Sequence, residues 1–312
     1  MRSIAAVAGL AVSVQVALVA PAYATTGVWV SGGTLAIQAD PGRNNDITIS
    51  LVGARVRVRD AGDTVLAGSG CTQIAANTVD CAGVTGIEAG LYDGDDRIVN
   101  ATSLPSTMKG HEGSDRIFGG SGDDILDGGD AGDQVQGGSG RDQLIGGAGN
   151  DQVSGDAGND LFWADPLVDG ADTFSGGADI DLAGYEHRAV GVDVRLDGAA
   201  NDGEAGENDN IGTDVEWVNG TPAIDTLVGS GGPNQLRGFG DTDRIAGLDG
   251  DDTLVGEGGD DRLIGGLGVD RLLGGPGDDT LDGVDAAPND VLNGDIGTDT
   301  CFFDAGDIVI SC

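Results

Sequence analysis

The sequence predicts an all-β protein, a parallel β-roll in which short strands stack along one axis. Three observations predict it. A nine-residue pattern recurs many times without insertion, glycine provides 59 of the 312 residues, and each nonapeptide carries one apolar residue at a fixed place. Self-similarity at such a short fixed period indicates a repeat architecture in which each unit packs on its neighbours.

The nonapeptides form two unbroken arrays. Units begin at Gly110, Gly119, Gly128, Gly137, Gly146 and Gly155, and again at Gly229, Gly238, Gly247, Gly256, Gly265 and Gly274. Looser copies run through Asp225 and Asp290, and a last copy begins at Gly294. Position eight is apolar in every unit of the arrays: Ile117, Leu126, Val135, Leu144, Val153 and Phe162, then Leu236, Ile245, Leu254, Leu263, Leu272 and Leu281.

Position six is acidic in all these units except one, where Asn234 stands. The predicted metal ligands are Asp115, Asp124, Asp133, Asp142, Asp151 and Asp160 in the first array, Asp243, Asp252, Asp261, Asp270 and Asp279 in the second, and Asp299 in the last copy. The glycines allow a tight turn that aims carbonyl oxygens inward. Calcium takes six to eight oxygens from carboxylates and carbonyls together. We therefore expect several Ca²⁺ ions as the cofactor.

Two nonapeptides complete one coil of the predicted roll. The x-U-x residues make a short strand whose apolar side chain faces inward, so the turns stack along two edges. Alternate repeats share an edge: Asp115, Asp133 and Asp151 line one, and Asp124, Asp142 and Asp160 line the other. A calcium ion between stacked turns can take the aspartate of one repeat and carbonyls from eighteen residues away. Because unpaired aspartates repel, we expect the arrays to be largely disordered without calcium.

These units resemble the RTX, or hemolysin-type, nonapeptide repeats over about 110–163 and 219–300. The resemblance implies a right-handed parallel β-roll with calcium in the turns, and it gives the position-six aspartates the ligand role. Other segments look like exported RTX-like proteins of high-GC Gram-positive bacteria: Gly70-Cys71-Thr72-Gln73, Val79-Asp80-Cys81, Asp93-Gly94-Asp95-Asp96, and Asp299-Thr300-Cys301 closing with Cys312. Such proteins are mostly described only as calcium-binding, so the resemblance implies a fold and a ligand but little physiology.

Several units depart from the repeat pattern. Asn234 lacks a carboxylate and predicts a weaker site. The second glycine is replaced by His111, Asp156, Phe239 and Glu257, which loosens the match, and Asp241 replaces the fourth glycine, which predicts an altered turn.

The first 24 residues have the features of a secretory signal peptide. Arg2 supplies the positive charge, residues 4–19 are a nearly unbroken apolar run, and Ala22-Tyr23-Ala24 gives the small-x-small cleavage pattern. We expect residues 1–24 to be removed, leaving a secreted, extracellular protein, free or loosely associated with the cell wall. No later stretch is long and apolar enough to be a transmembrane segment.

The net charge of the chain excludes one class of partner. A net charge of −38, from 53 acidic and 15 basic residues, excludes nucleic acid as a partner, because that binding uses basic patches. Such charge is also typical of disorder, but the strict period favours a folded roll.

An even cysteine count in an exported chain favours disulfides. Three pairings can be drawn for Cys71, Cys81, Cys301 and Cys312, of which the two local pairs are the most economical.

Outside the arrays, the predicted organisation is an N-terminal β cap at 25–90, a first array at 91–163, an irregular acidic connecting segment at 164–218, a second array at 219–300, and a disulfide cap at 301–312. Short runs such as 28–30, 46–49 and 56–59 predict cap strands that cover the first coil. A carbohydrate-binding platform at Trp29 is an alternative, although a lone aromatic on a strand is more often core.

The connecting segment carries mixed signals. Asp172 and Asp181 continue a degraded repeat, and 190–196 predicts a longer strand. The stretch 197–210 holds five acidic residues: Asp197, Asp202, Glu204, Glu207 and Asp209. It is either an extra calcium loop or a solvated acidic excursion, and the sequence leaves both open.

No catalytic constellation is visible in the sequence. Its two histidines, His111 and His187, form no H-E-x-x-H motif, and no G-x-S-x-G elbow or P-loop occurs. We therefore predict an extracellular calcium-ion-binding protein that folds on Ca²⁺ binding, with no catalytic residues. The alternatives are a cell-surface adhesin or spacer that uses the roll as a calcium-stiffened scaffold and, more remotely, a secreted hydrolase that works with two carboxylates.

Overall fold

A computed structural model describes residues 25–167, 169–285 and 287–312. The predicted signal peptide lies outside the described residues. Within them, the regular structure consists of 31 β-strands, with no helix, arranged in three sheets. The all-β prediction is therefore confirmed, and the strands form a β-solenoid.

Sheet A has fifteen strands and contains members from both repeat arrays. Its strands are β1 (Thr26–Ser31), β2 (Thr34–Gln38), β5 (Val65–Ala67), β8 (Gly86–Asp93), β10 (Ser106–Glu112), β12 (Ile125–Asp130), β14 (Gln143–Ala148), β16 (Leu161–Trp163), β18 (Leu182–Gly184), β21 (Trp217–Asn219), β23 (Gln235–Gly240), β25 (Thr253–Gly258), β27 (Arg271–Pro276), β29 (Val291–Ile296) and β31 (Ile308–Ser311).

Two shorter sheets contain the remaining strands. Sheet B comprises β3 (Asp46–Val52), β4 (Arg55–Asp60), β6 (Cys71–Ala75), β7 (Thr78–Ala82), β9 (Arg97–Asn100), β11 (Arg116–Gly120), β13 (Gln134–Ser139), β15 (Gln152–Ala157), β17 (Thr173–Ala178) and β20 (Asn210–Ile211). Sheet C comprises β19 (Asp193–Arg195), β22 (Thr226–Val228), β24 (Arg244–Asp249), β26 (Arg262–Leu267), β28 (Thr280–Asp282) and β30 (Thr300–Phe302).

Within the arrays, successive strands alternate between sheet A and the shorter sheet, one nonapeptide each. Parallel pairing joins residues eighteen apart: Leu126 pairs with Leu144 in sheet A, and Val135 pairs with Val153 in sheet B. One coil is therefore two nonapeptides, as the sequence predicts. All twelve position-eight side chains of the arrays are buried, and none is more than 3% exposed. Each such side chain contributes about 1.5–3 kcal/mol of apolar burial to the roll.

The N-terminal ends of sheets A and B contain antiparallel pairs of strands. Strand β1 pairs with β2, and β4 pairs with both β3 and β7. The predicted runs 28–30, 46–49 and 56–59 lie in β1, β3 and β4. Strands β1 and β5 pair in parallel at the end of sheet A, and the parallel stacking of the roll begins where β2 meets β8 and where β3 meets β9.

The interval 164–218 interrupts only one side of the roll. Sheet A continues through it, because Phe162 pairs with Ala183 and Ala183 pairs with Val218. On the other side, sheet B ends at β20 and sheet C begins at β19. The longer strand predicted at 190–196 is only the three-residue β19. The extra residues of this interval leave the roll as loops, while its short strands keep the coil stacked.

Two disulfides join the cysteine pairs that are local in sequence. Cys71 pairs with Cys81 between β6 and β7, and Cys301 pairs with Cys312 at the C-terminal end. The economical pairing is therefore the observed one. Among the described residues, no helix is long and apolar enough to cross a membrane.

Candidate metal centre

The position-six aspartates are stacked in ladders that run along the edges of the roll. In each ladder the backbone N–H of one aspartate donates to Oδ1 of the aspartate one coil later, as from Asp115 to Asp133 at 2.7 Å. One ladder contains Asp96, Asp115, Asp133, Asp151, Asp172 and Asp209; a second contains Asp124, Asp142, Asp160 and Asp181, and on the same edge further along Asp252, Asp270 and Asp290; a third contains Asp225, Asp243, Asp261, Asp279 and Asp299.

The second carboxylate oxygen of most ladder members has no hydrogen-bond partner. Oδ2 is buried and unpartnered in Asp96, Asp115, Asp124, Asp133, Asp142, Asp151, Asp160, Asp181, Asp243, Asp252, Asp261, Asp270, Asp279 and Asp290. A buried acceptor without a donor is costly, and native structures contain few of them. A regular row of such oxygens therefore indicates that a cation belongs beside them.

The first glycine of each unit leaves the space that these oxygens face. A Cβ on Gly110 would lie 2.2 Å from Oδ2 of Asp115 and 2.1 Å from the carbonyl oxygen of Gly128, one coil away. The same pair of oxygens converges on Gly119, from Asp124 and Gly137, at 2.5 and 2.6 Å. A carboxylate and a carbonyl oxygen at one point are hard ligands that suit Ca²⁺. The donor set of the turns therefore fits calcium.

Side chains alone do not complete these sites. Across the described ranges, no three His, Cys, Asp or Glu side chains are grouped so that they could hold a metal ion by themselves. The ladder supplies one position-six carboxylate per unit, so backbone carbonyls such as that of Gly128 would have to supply further ligands. The need for both carboxylate and carbonyl ligands explains why the turns combine aspartates with glycines.

Burial raises the pKa of buried ladder carboxyls such as Asp115, Asp142 and Asp243 in the metal-free chain. Desolvation is the largest cause, and neighbouring aspartates add to it, while the backbone N–H bonds oppose it. The pKa rises to about 7 in Asp115 and Asp142, and to about 8 in Asp243. A cation that keeps these groups ionised would remove both the desolvation cost and the repulsion.

Eleven of the twelve predicted ligand residues are buried members of a ladder with an unpartnered Oδ2. The twelfth, Asp299, is half-buried at the end of its ladder, where Oδ1 accepts from the N–H of Asp279 at 3.0 Å. The ladders also contain six aspartates outside the predicted set: Asp96, Asp172, Asp181, Asp209, Asp225 and Asp290. Each is followed two residues later by a buried apolar residue, which was the available signal in the sequence.

Asn234 differs from the ladder aspartates, as its uncharged amide side chain predicts. Its Oδ1 accepts hydrogen bonds from the N–H and hydroxyl of Ser230, and its Nδ2 donates to the carbonyl of Glu216 at 3.2 Å. Both polar atoms are therefore engaged within the chain, and this unit has neither a carboxylate nor an orphaned oxygen.

At the other departures from the pattern the backbone keeps a positive φ. His111, Asp156, Phe239 and Glu257, at the second-glycine position, and Asp241, at the fourth, have φ values between 68° and 80°. This is the left-handed region that glycine normally supplies, and a larger residue adopts it at a cost of about 1–3 kcal/mol. At the fourth position Gly250 and Gly259 have φ values of 125° and 140°, whereas Asp241 has 68°, so the backbone of this turn differs there, as the sequence predicts.

The acidic stretch 197–210 is folded against the roll. Asp202, Glu207 and Asp209 are buried, so the solvated interpretation is wrong for them. Asp202 accepts from the N–H groups of Arg195 and Ile211, and Asp209 joins a ladder. Glu207 accepts from the buried guanidinium of Arg188, which also contacts Asp169 at 3.2 Å. Here the chain supplies its own cation.

Stacked coils with one apolar residue per strand and rows of carboxylates in glycine-rich turns define a metal-binding β-solenoid. The family model described as RTX calcium-binding nonapeptide repeat (4 copies) matches residues 106–135, 127–162, 219–254, 246–281 and 289–307. These residues form RTX calcium-binding nonapeptide repeats. A search of curated proteins found no match.

Proposed function

We propose that the protein is an extracellular calcium-binding scaffold whose roll folds as Ca²⁺ occupies the turns. The observation that carries this proposal is the row of buried Oδ2 atoms without a donor. Such a row is unfavourable in a stacked, metal-free roll, because each ionised carboxylate is both desolvated and close to others. A bound divalent cation stabilises only the stacked state, so its binding free energy becomes folding free energy.

Different residues of each turn would have different roles in holding the ion. The backbone N–H of one aspartate fixes the next carboxylate through Oδ1, which leaves Oδ2 free for the ion, and the first glycine keeps the space open. Calcium, when bound, would supply positive charge and be coordinated by the carboxylate and carbonyl oxygens of the turns. Position-eight side chains such as Leu126 fix the stacking from inside. In the extracellular space Ca²⁺ is plentiful, so it would act as a structural partner rather than a signal.

A calcium titration of the exported chain tests this proposal. Circular dichroism in excess chelator should show little strand signal, and the signal should rise cooperatively as Ca²⁺ reaches millimolar concentration. Mg²⁺ at equal concentration is the control, because it demands a smaller octahedral site. The same strand signal in chelator and in calcium would contradict folding on calcium. Recovery of the protein from the culture supernatant, with an N-terminus near Thr25, tests export.

A spacer or adhesin stalk at the cell surface is a second candidate, favoured by the continuity of sheet A across both arrays. Fifteen strands at about 4.8 Å each would extend over about 70 Å. Small-angle scattering should then show a rod in calcium that collapses or expands in chelator. Cell fractionation separates the two candidates, since a stalk must be retained in the wall or surface fraction.

A further inference from the structure

The junction between the two arrays, defined as residues 188–228, satisfies its buried carboxylates differently from the arrays. Asp202 is 1% exposed, and both of its oxygens accept hydrogen bonds from the backbone. Oδ1 accepts from the N–H of Arg195 at 2.6 Å, and Oδ2 accepts from the N–H of Ile211 at 2.8 Å. Array aspartates such as Asp142 leave Oδ2 without a donor. Asp202 therefore obtains from the chain the partners that an array aspartate lacks.

Asp225 and Glu207, which are also buried, have partners within the chain as well. Oδ1 of Asp225 accepts from the N–H of Val192 at 2.8 Å and from the hydroxyl of Thr221 at 2.9 Å. Its Oδ2 accepts from the N–H of Thr221 at 2.6 Å. Glu207 pairs with the buried guanidinium of Arg188. Hydrogen bonds and an ion pair thus offset the desolvation of these carboxylates, as calcium would in the arrays.

Backbone hydrogen bonds also join the parts of the junction to one another. The N–H of Thr226 donates to the carbonyl oxygen of Val192 at 2.8 Å. Asp202 and Asp209 exchange two backbone bonds, at 2.9 and 3.0 Å. All of these partners lie between residues 192 and 226, so the bonds can form while the arrays are unstacked.

Apolar burial is denser in the junction than in an array. The 41 residues of the junction bury seven apolar side chains, whereas the 54 residues of the second array, 229–282, bury six. The seven are Val192, Val194, Leu196, Ile211, Val215, Val218 and Leu227. Because apolar burial is the dominant favourable contribution to folding, the junction depends less on calcium than an array does.

Ladder bonds attach both arrays to the junction. On the side of the first array, Asp209 ends the first ladder, and Glu216 accepts from the N–H of Asp181 at 2.9 Å. On the side of the second array, the N–H of Asp225 donates to Oδ1 of Asp243 at 2.8 Å. Asp243 is the first position-six aspartate of that array. A folded junction therefore holds partners for the neighbouring ladder groups in register before any ion binds.

We propose that the junction folds without calcium and is the template on which both arrays stack as ions bind. The template role rests on the calcium-dependent folding of the arrays that is proposed as the protein's function. In a solenoid each coil contacts only its neighbours, so folding propagates from a coil that is already formed. An array that starts at the junction needs to add only one coil at a time. An array without a template must order two coils before a site between stacked turns exists.

Hydrogen exchange of the full chain, followed by mass spectrometry, tests this order of folding. In excess chelator, peptides from 188–228 should exchange about tenfold more slowly, relative to their intrinsic rates, than peptides from 119–150 and 256–282. As free calcium is raised, protection in the second array should appear first at 235–255, next to the junction, and later at 271–296. Equal exchange of junction and arrays in chelator, with protection of the arrays in calcium, would overturn the template and leave the proposed function standing. Slow exchange of the whole chain in chelator would overturn both.

Asp202→Asn perturbs the junction without touching an array carboxylate, because both oxygens of Asp202 accept from backbone N–H groups of the junction. The amide nitrogen would face one of these N–H groups. The junction should therefore lose protection in chelator, and both arrays should need about twofold more calcium for half-protection. Asp197→Asn is the matched control, since Asp197 is exposed and its Oδ1 accepts from the N–H of Ala199, as an amide oxygen also can. Circular dichroism in saturating calcium checks that both variants fold, and equal calcium midpoints for the two would overturn the proposal.

Discussion

The backbone N–H of Asp142 donates to Oδ1 of Asp160 at 2.8 Å, one full coil further along the roll. This bond ties the position of a carboxylate to the stacking of the backbone beneath it. Oδ2 of each residue is then left buried and without a donor. Stacking and ion binding therefore depend on each other, because the carboxylates are correctly placed only when the coils are in register.

Replacing one ladder carboxylate by its amide tests that dependence. Asp142→Asn preserves an oxygen for the N–H of Asp124, which now bonds to Oδ1 at 2.8 Å, but it removes the charge at the orphaned position. We expect the calcium count to fall by about one ion and the melting temperature in calcium to drop by several degrees, since about 1 kcal/mol corresponds to about 2–4 °C in a domain of this size. Asp130→Asn, at the exposed end of β12, is the control and should change neither.

The folding stability of the metal-free chain should fall as the pH rises, whereas that of the calcium-loaded chain should increase. The carboxyl pKa of Asp115 and Asp142 rises from 3.8 to about 7, mainly by desolvation. Because these carboxyls have a higher pKa in the folded state than in the unfolded state, folding takes up protons. The stability gained from this proton uptake is present at low pH and is lost as the pH rises through about 7. In chelator, circular dichroism should therefore show more strand at pH 5 than at pH 8.

Calcium competes with these protons for the same oxygens. With calcium present, stability should be greatest above pH 7, and the calcium affinity should fall as the pH is lowered toward 5. Both series stay above the isoelectric point of about 4.1, where aggregation would interfere. Equal strand content at pH 5 and pH 8 in chelator would show that burial of the carboxyls does not govern folding.

Much of this architecture follows from the sequence, because the repeats place glycine, aspartate and one apolar residue at the same positions. The period fixes which residues are buried, so Leu126 over Leu144 and Asp124 beneath Asp142 could be predicted without a structure. Ladder members such as Asp96 and Asp290 lie where the spacing is irregular. Their places depend on loop lengths that change without altering the stacking.

The connecting segment could not be predicted in the same way. Its charges pair across long intervals, as between Arg188 and Glu207, and no local pattern brings these two residues together. The indole of Trp163 and the carboxylate of Glu186 likewise both lie close to Gly184, because sheet A continues across the interval. Tertiary placement of this kind becomes visible only in three dimensions.

Glycine at the fourth position is predicted to be indispensable where stacked coils approach most closely. A Cβ on Gly158 would lie 1.5 Å from the carbonyl oxygen of Gly140, and its φ is 131°. Because that oxygen belongs to the backbone, Gly158→Ala must displace a coil. We expect a loss of about 1–3 kcal/mol or more from strain alone, measured as a lower melting temperature in saturating calcium. Gly231→Ala, where a Cβ would meet nothing within 4 Å, should behave like the parent chain.

The buried guanidinium of Arg188 should be as necessary to the connecting segment as calcium is to the arrays. Arg188→Met would leave the carboxylates of Glu207 and Asp169 buried without their cation. Breaking a buried pair in this way costs about 3–5 kcal/mol, so thermal unfolding in saturating calcium should occur at a clearly lower temperature. Arg141→Met, at an exposed turn position, should have little effect. Adding Glu207→Gln to Arg188→Met should recover part of the loss, because one of the stranded charges is then removed. Equal melting temperatures for Arg188→Met and Arg141→Met would show that this ion pair does not hold the segment against the roll.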